Sequence, residues 1–185
     1  AAPGSIPWDA FDIDVVIDST GVYRTREELQ KHIDSGAKRV LVSKPPTNEI
    51  DRIIIQGIND DEIKTEDKII STTSSTTQVL ALMMKVLDDN FGIERAMMTT
   101  VHAYTSDQPL ADAVRSDLRR SRSAVENIIP NETWAPDYVA RLMPKFEQKI
   151  TGIAMNVPVA NGSCIDLTTE MAIMPTIEEV NMSFQ

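Results

Sequence analysis

The sequence predicts an α/β fold in which a short parallel layer is followed by a region richer in antiparallel strands. Three observations carry this expectation. The β-branched run Asp14-Val15-Val16-Ile17-Asp18 connects through a capped helix to a second such run, Arg39-Val40-Leu41-Val42-Ser43, and strand-helix-strand of this length suggests a parallel βαβ unit. Residues 79–87 form an apolar segment of helical length. Ile150–Val157 and Ser163–Ile173 read as two strands joined by a turn at Pro158–Gly162, a pattern that favours antiparallel pairing.

Each element has a local reason. Thr25 with Glu28 three residues on forms a capping box for the first helix, and Gly36 is placed to stop it. Pro45-Pro46 and Asn48 mark a loop, Ile53-Ile54-Ile55 a buried strand, Asn59-Asp60-Asp61 a turn and Lys68–Ser71 another short strand. The second helix follows seven consecutive hydroxyl residues, Ser71 to Thr77, and ends near Asn90 and Gly92. A strand from Met97 to Val101 then carries His102 at its end. Pro175-Thr176-Ile177-Glu178-Glu179 opens a last helix.

Composition bounds the function. The chain has 185 residues, 42% of them apolar, which is enough for a core, with ten Pro, seven Gly and one Cys. One cysteine makes no internal disulfide, so a cytoplasmic protein is expected. No apolar run approaches the roughly 18 residues that cross a bilayer, and the N-terminus lacks a signal-peptide pattern, so no membrane role is expected. The formal charge of −10 is spread along the chain, −6 over residues 1–100 and −4 over the rest. Such a surface repels phosphate backbones, so no nucleic-acid partner is expected, and any anionic ligand needs a local basic site.

Three features carry chemistry. The hydroxyl run before a helix is either an N-cap with a polar loop or an anion or nucleophile site, because a helix N-terminus offers unpaired N–H groups and a positive dipole end. His102 at a strand end is either a structural residue or a base. Residues 115–122 hold four arginines in eight positions. They make either an anion grip, a solvated loop or an intersubunit salt-bridge patch. No internal repeat, Walker A loop, zinc spacing or GxGxxG is present, so no metal is expected.

Together these residues resemble a known family. Asp18-Ser-Thr-Gly-Val-Tyr23, Gly36-Ala-Lys-Arg-Val40, the block at 71–78, Asn90-Phe-Gly-Ile93, Met98-Thr-Thr-Val-His-Ala-Tyr-Thr105, Leu118-Arg-Arg-Ser-Arg122, Asn127-Ile-Ile-Pro130, Ile150-Thr-Gly152 and Val157-Pro-Val159 are similar, in this order, to motifs of the phosphorylating glyceraldehyde-3-phosphate dehydrogenases and the related erythrose-4-phosphate dehydrogenases. The resemblance runs from Ile6-Pro7-Trp8 onward. It implies a partial Rossmann-like parallel sheet over 1–72, the C-terminal part of an NAD-binding domain. A mixed, largely antiparallel α+β catalytic-type domain, C-terminally incomplete, follows over 73–185.

The resemblance also implies site residues. In the family a cysteine at the helix start attacks the aldehyde, hydride passes to NAD and inorganic phosphate cleaves the thioester. A histidine in the position of His102 is the base. Ser74, Thr76, Thr105, Arg120 and Thr133 align with phosphate-binding positions, with Asp107 orienting the threonine and arginine groups. Thr20, Gly21 and Ser43 align with positions lining the cofactor.

Departures from the pattern shape the expectation. Ser75 stands at the nucleophile position, and a hydroxyl lacks the accessible pKa of a thiol, about 8.5 for free cysteine. Gln78 replaces an asparagine, and Asn156 replaces an arginine that contacts substrate phosphate. Cys164 is expected to be a core thiol. The glycine-rich fingerprint is absent, so NAD binding is expected only if another chain supplies it. Weak or no dehydrogenase activity follows, with phosphate or a phosphosugar as ligand and a homo-oligomer or a complementing chain as assembly. The alternatives are a truncated or split fragment of a working dehydrogenase and a binding module whose Arg115–Arg122 loop docks an acidic or phosphorylated partner.

Overall fold

A computed structural model describes residues 2–106 and 108–185. The chain divides into two compact units, Ala1–Leu82 and Met83–Gln185. The division falls inside a helix, ten residues after the boundary expected from sequence.

The first unit is built on a parallel sheet. Its strands are β1 (Val15–Asp18), β2 (Arg39–Val42), β3 (Arg52–Ile53) and β4 (Ile69–Ser71), in the order β1-β2-β4-β3, and every pair is parallel. Helix α1 (Arg26–Asp34) connects β1 to β2 as the βαβ pattern predicts. It starts at a complete capping box, in which Thr25 Oγ1 accepts from the Glu28 N–H and the Glu28 carboxylate accepts from the Thr25 N–H. Gly36 follows at φ +104°, where a Cβ would lie 2.5 Å from the Asp9 backbone nitrogen, so only glycine fits. The isoleucine run is a strand only to Ile53. The buried Asn59 amide takes over from there, accepting from the Ile55 N–H at 2.9 Å and donating to the Ile53 carbonyl at 2.9 Å. Leu29, Val40, Val42, Ile55 and Ile69 fill the core, whereas Val15 and Ile17 on the edge strand β1 are exposed.

The second unit carries a mixed sheet. Helix α2 (Ser75–Phe91) crosses the division and is followed by β5 (Ile93–Ala103), β6 (Ile129–Asn131), α3 (Ala135–Leu142), β7 (Ile150–Val157), β8 (Ser163–Met171) and α4 (Ile177–Ser183). The sheet order is β6-β7-β5-β8, with β5 parallel to β7 and antiparallel to β8, and β6 antiparallel to β7. β7 and β8 therefore do not form the hairpin their spacing suggests. The eleven residues of β5 pair on both sides and separate them, and the Pro158–Gly162 connection steps over β5, about 10 Å across two strand spacings. Helix α4 begins at Ile177, two residues after the expected Pro175, with Thr176 as N-cap in a second capping box with Glu179. Pro175 precedes the cap.

The mixed sheet buries one face. Ile93, Ala96, Met98 and Thr100 on β5 are buried, while the intervening Met97 is 47% exposed. Ile153 on β7 and Cys164 on β8, which is paired with Val101, are also exposed. Cys164 is thus not a core thiol. It sits on the edge strand β8, none of whose residues is buried.

Candidate functional site

The hydroxyl run bends the chain from β4 into α2. Thr73 adopts φ +60° while almost fully buried, a strained conformation for a β-branched residue. The Ser71 hydroxyl, which donates to the Lys44 carbonyl, accepts from the Thr73 N–H at 3.0 Å and holds the bend. Ser74 is the N-cap. Its hydroxyl accepts from the Thr77 N–H at 3.1 Å and lies 2.9 Å from the Thr77 hydroxyl. Ser75 is the first residue of α2 and is exposed, with Thr76 half-buried beside it. Gln78 reaches back to donate to the Thr72 carbonyl at 2.8 Å and closes the bend from the helix side.

Thr20, Gly21 and Ser43 meet at the carboxyl ends of β1 and β2, where parallel sheets bind ligands. Thr20 donates to Asp18 Oδ1 from its N–H at 2.9 Å and its hydroxyl at 2.7 Å, and Gly21 turns the chain at φ +72°. The Ser43 N–H donates to the Asp18 carbonyl at 3.0 Å. The three residues lie at one strand-end edge of the parallel sheet. A pyrophosphate does not fit the α1 N-terminus, because the Glu28 carboxylate already takes the Arg24 and Thr25 N–H groups there and adds negative charge with Glu27. The same hydrogen bonds, those from Thr25 and Arg24 first, hold the Glu28 carboxyl below its ordinary value.

In the second unit, His102 is half-buried near the end of β5, in register with Asn156 on β7 and Ser163 on β8. Asn156 is 8% exposed and joins an amide cluster. Its Oδ1 accepts from Gln108 Nε2 at 3.2 Å and Asn131 Nδ2 at 3.3 Å, and its Nδ2 donates to the Ala103 carbonyl at 3.4 Å. Gln108 Oε1 in turn accepts from the Thr105 N–H at 2.7 Å and the Thr105 hydroxyl at 3.2 Å. Thr105 and Asn156 are thus brought together through Gln108. The Thr133 hydroxyl accepts from the Ala135 N–H at the start of α3. Asp107 lies outside the described residues.

The arginine segment is a short 3-10 turn at Arg119–Ser121 in an exposed loop. The Asp117 carboxylate accepts from the Arg119 and Arg120 N–H groups. Arg122 is committed to Asp112 at 3.2 Å. The Ser123 N–H and that guanidinium hold the Asp112 carboxyl below its usual range. Arg120 is half-buried, whereas Arg119 and Arg122 are exposed. Among the described residues no cluster of His, Cys, Asp and Glu is arranged to hold a metal, and no helix is long and apolar enough to cross a membrane.

Gln108 and Asn131 escaped the sequence reading, as did the buried group Trp8, His32 and Asp18 described below. Isolated amides and a tryptophan carry no spacing signal. The Asp18-Ser19-Thr20 turn was the one legible trace, since Asp favours hydrogen bonding two residues on.

A parallel α/β layer, a helix started by a strained hydroxyl elbow and a mixed sheet with a histidine near the end of its central strand define a dehydrogenase-type α/β class. Residues 74–185 match the family model "Glyceraldehyde 3-phosphate dehydrogenase, C-terminal domain", and the chain belongs to the glyceraldehyde 3-phosphate dehydrogenase family. It is similar to glyceraldehyde-3-phosphate dehydrogenases of Mycobacterium bovis, 43% identical over 183 residues, and Streptomyces coelicolor, 46% identical over 184. It also resembles glyceraldehyde-3-phosphate dehydrogenase 2 of Streptomyces avermitilis, at 45% identity over 184 residues. Each alignment covers 99% of this chain but only 54–55% of the relative. The chain spans about half the length of the curated relatives it matches.

Proposed function

We propose that this chain is a glyceraldehyde-3-phosphate-dehydrogenase-like protein that retains a phosphate or phosphosugar site and does not carry out the acyl-forming redox step. The carrying observation is the exposed Ser75 hydroxyl at the first position of α2. A helix N-terminus lowers a thiol pKa into the neutral range, but the same field leaves an alcohol protonated. The neutral cluster around Asn156 marks one lost cationic contact, because its amide oxygen and nitrogen are engaged with Gln108, Asn131 and Ala103, and any phosphate site then depends on Arg120 for charge.

In this reading Ser74 and Thr76 in the first unit, and Thr105, Asp107, Arg120 and Thr133 in the second, stand at the family's phosphate positions, with His102 at the base position. Ser74 orders the first turn of α2, and the Thr105–Gln108–Asn156 chain orients the loop after β5. Thr20, Gly21 and Ser43 supply one edge of an NAD site, and the α1 N-terminus, already taken by Glu28, does not hold its pyrophosphate. The exposed β1 edge and the uncovered face of the mixed sheet support assembly with a second copy or a complementing chain. The parallel unit then belongs to a Rossmann-like NAD-binding domain and the rest to the catalytic domain, in a cytoplasmic protein.

Calorimetric titration with inorganic phosphate tests the site. Binding is expected, and Arg120→Ala abolishes it while Arg115→Ala does not. Equal loss in both variants contradicts a discrete site and favours a diffuse charge effect.

A further inference from the structure

A polar chain with a buried His32–Asp18 pair at its centre links three segments of the first unit. The Trp8 indole Nε1 lies 3.2 Å from His32 Nδ1, His32 Nε2 lies 3.2 Å from Asp18 Oδ2, and Asp18 Oδ1 receives both donors of Thr20. The His32 and Asp18 side chains are 7% and 1% exposed. The indole and imidazole rings also pack at 5.9 Å between centroids, tilted by 45°.

The proton order along this chain is fixed by chemistry. An indole N–H only donates, so Nδ1 of His32 accepts and carries no proton. The ring proton is then on Nε2 and points at Asp18, whose carboxylate only accepts. Every donor in the group points toward Asp18, and the Asp18 carboxylate in turn gathers Thr20. Thr20 passes the constraint on, since its hydroxyl also accepts from the Val22 N–H at 3.2 Å across Gly21.

We propose that Trp8 and His32 are positioning residues that act through Asp18 to set the Thr20–Gly21 turn, with Trp8 selecting the His32 tautomer that makes Asp18 available in the correct sense. The consequence for ligand binding rests on the reading of this turn as a ligand edge, but the relay itself is measurable without ligand.

The relay makes a signed prediction that packing alone does not. In Asp18→Asn the amide has one acceptor and one donor. If the acceptor serves Thr20, the donor faces His32, which must move its proton to Nδ1 and meet the Trp8 N–H head on. If the amide flips, its donor meets the Thr20 N–H instead. Removing the indole donor with Trp8→Phe releases the first conflict. Trp8 and Asp18 share no hydrogen bond, so any coupling between them passes through the two nitrogens of His32.

Hydrogen exchange at the Thr20 amide in the full chain is the test, read for the wild type, Trp8→Phe, Asp18→Asn and the double variant. Asp18→Asn should quicken exchange about tenfold, the effect of losing a hydrogen bond to a charged acceptor. Adding Trp8→Phe to that variant should slow it again by about fivefold, although Trp8→Phe alone quickens it. Additive effects would overturn the relay. If Asp18→Asn does not fold, two other readouts decide. Long-range nitrogen–proton NMR should find the His32 proton on Nε2 in the wild type, and a proton on Nδ1 overturns the proposal. His32→Gln, which keeps one donor and one acceptor, should hold Thr20 exchange within about threefold of wild type, while His32→Leu should not. Equal behaviour of the two variants also overturns it. These readouts involve no ligand, so a chain with an intact relay that binds no dinucleotide would defeat only the ligand reading.

Discussion

The two units differ in their most connected polar groups, carboxylates at strand ends in the first and neutral amides in the second, although the first also buries the neutral Asn59 and the second carries the Asp88–Lys145 pair. In the parallel unit, ionised groups fasten the ends of strands. Asp51, just before β3, accepts from the Lys68 and Ile69 N–H groups where β4 begins at 2.9 Å and from Arg26 of α1 at 2.6 Å, and Asp18 accepts from Thr20 in the β1 turn. In the mixed-sheet unit, the buried groups Asn156 and Gln108 are neutral amides that satisfy one another, and one hydroxyl, Thr100, is 2% exposed with no hydrogen-bond partner among the described residues. A charged latch fixes geometry strongly and ties it to pH. A neutral network fixes it weakly and presents no charge to an anion.

The contrast can be broken from its strongest point. Gly36→Ala forces a side chain into the Asp9 backbone at φ +104°, and should cost the parallel unit about 3 kcal/mol in denaturant unfolding. A loss below about 1 kcal/mol would show that this joint yields. Asp51→Asn weakens three hydrogen bonds to a carboxylate and should cost about 2 kcal/mol. Within the mixed-sheet unit the expected sign reverses. Thr100→Val removes the unpartnered hydroxyl at nearly constant shape and should stabilise by about 1 kcal/mol, and a destabilised variant would mean that Thr100 has a partner after all.

The smallest effect concerns pH. Burial pushes the Asp51 carboxyl up, but the Ile69 and Lys68 N–H groups and Arg26 outweigh it and hold the group below its ordinary value. The Lys64 N–H and Arg52 do so for Asp67. In the second unit, burial likewise opposes Lys145 and the Ile93 N–H at Asp88, and the hydrogen bonds prevail. A depressed carboxyl pKa contributes stability that is fully present above the unfolded-state value near 4 and is lost as pH falls through the folded value. Denaturation midpoints measured from pH 6 down to pH 3 should therefore fall below pH 4. Amide exchange in β4 should rise over that interval more than exchange in β5. Equal rises would remove the distinction between the units.

Local signals were legible and long-range ones were not. The Thr25–Glu28 capping box, Gly36 and the hydroxyl run as a helix start were readable because each is a short-range hydrogen-bonding or φ requirement within a few residues, whereas the Thr176–Glu179 box was hidden behind Pro175, which reads as a first helical residue. The order of the mixed sheet was not, since the Pro158–Gly162 connection is short enough for a hairpin and nothing nearby says that β5 lies between its ends. The exposure of Cys164 failed for a related reason. An apolar residue on a strand reads as core, and whether a second layer covers that face is a property of the assembly. In the candidate site, the motif positions were readable, but the Gln108–Asn131–Asn156 amides join segments up to 48 residues apart.

The proposed function turns on position 75, the first residue of α2, where we propose that a hydroxyl replaces the nucleophile the acyl step needs. Peptide mapping by mass spectrometry after incubation with p-nitrophenyl acetate at neutral pH tests this without cofactor or substrate. The expected result is no acetyl group on Ser75 in the wild type and acetylation of residue 75 in Ser75→Cys, faster than at Cys164. Acetylation of Ser75 in the wild-type chain would contradict the account and make it a working serine nucleophile.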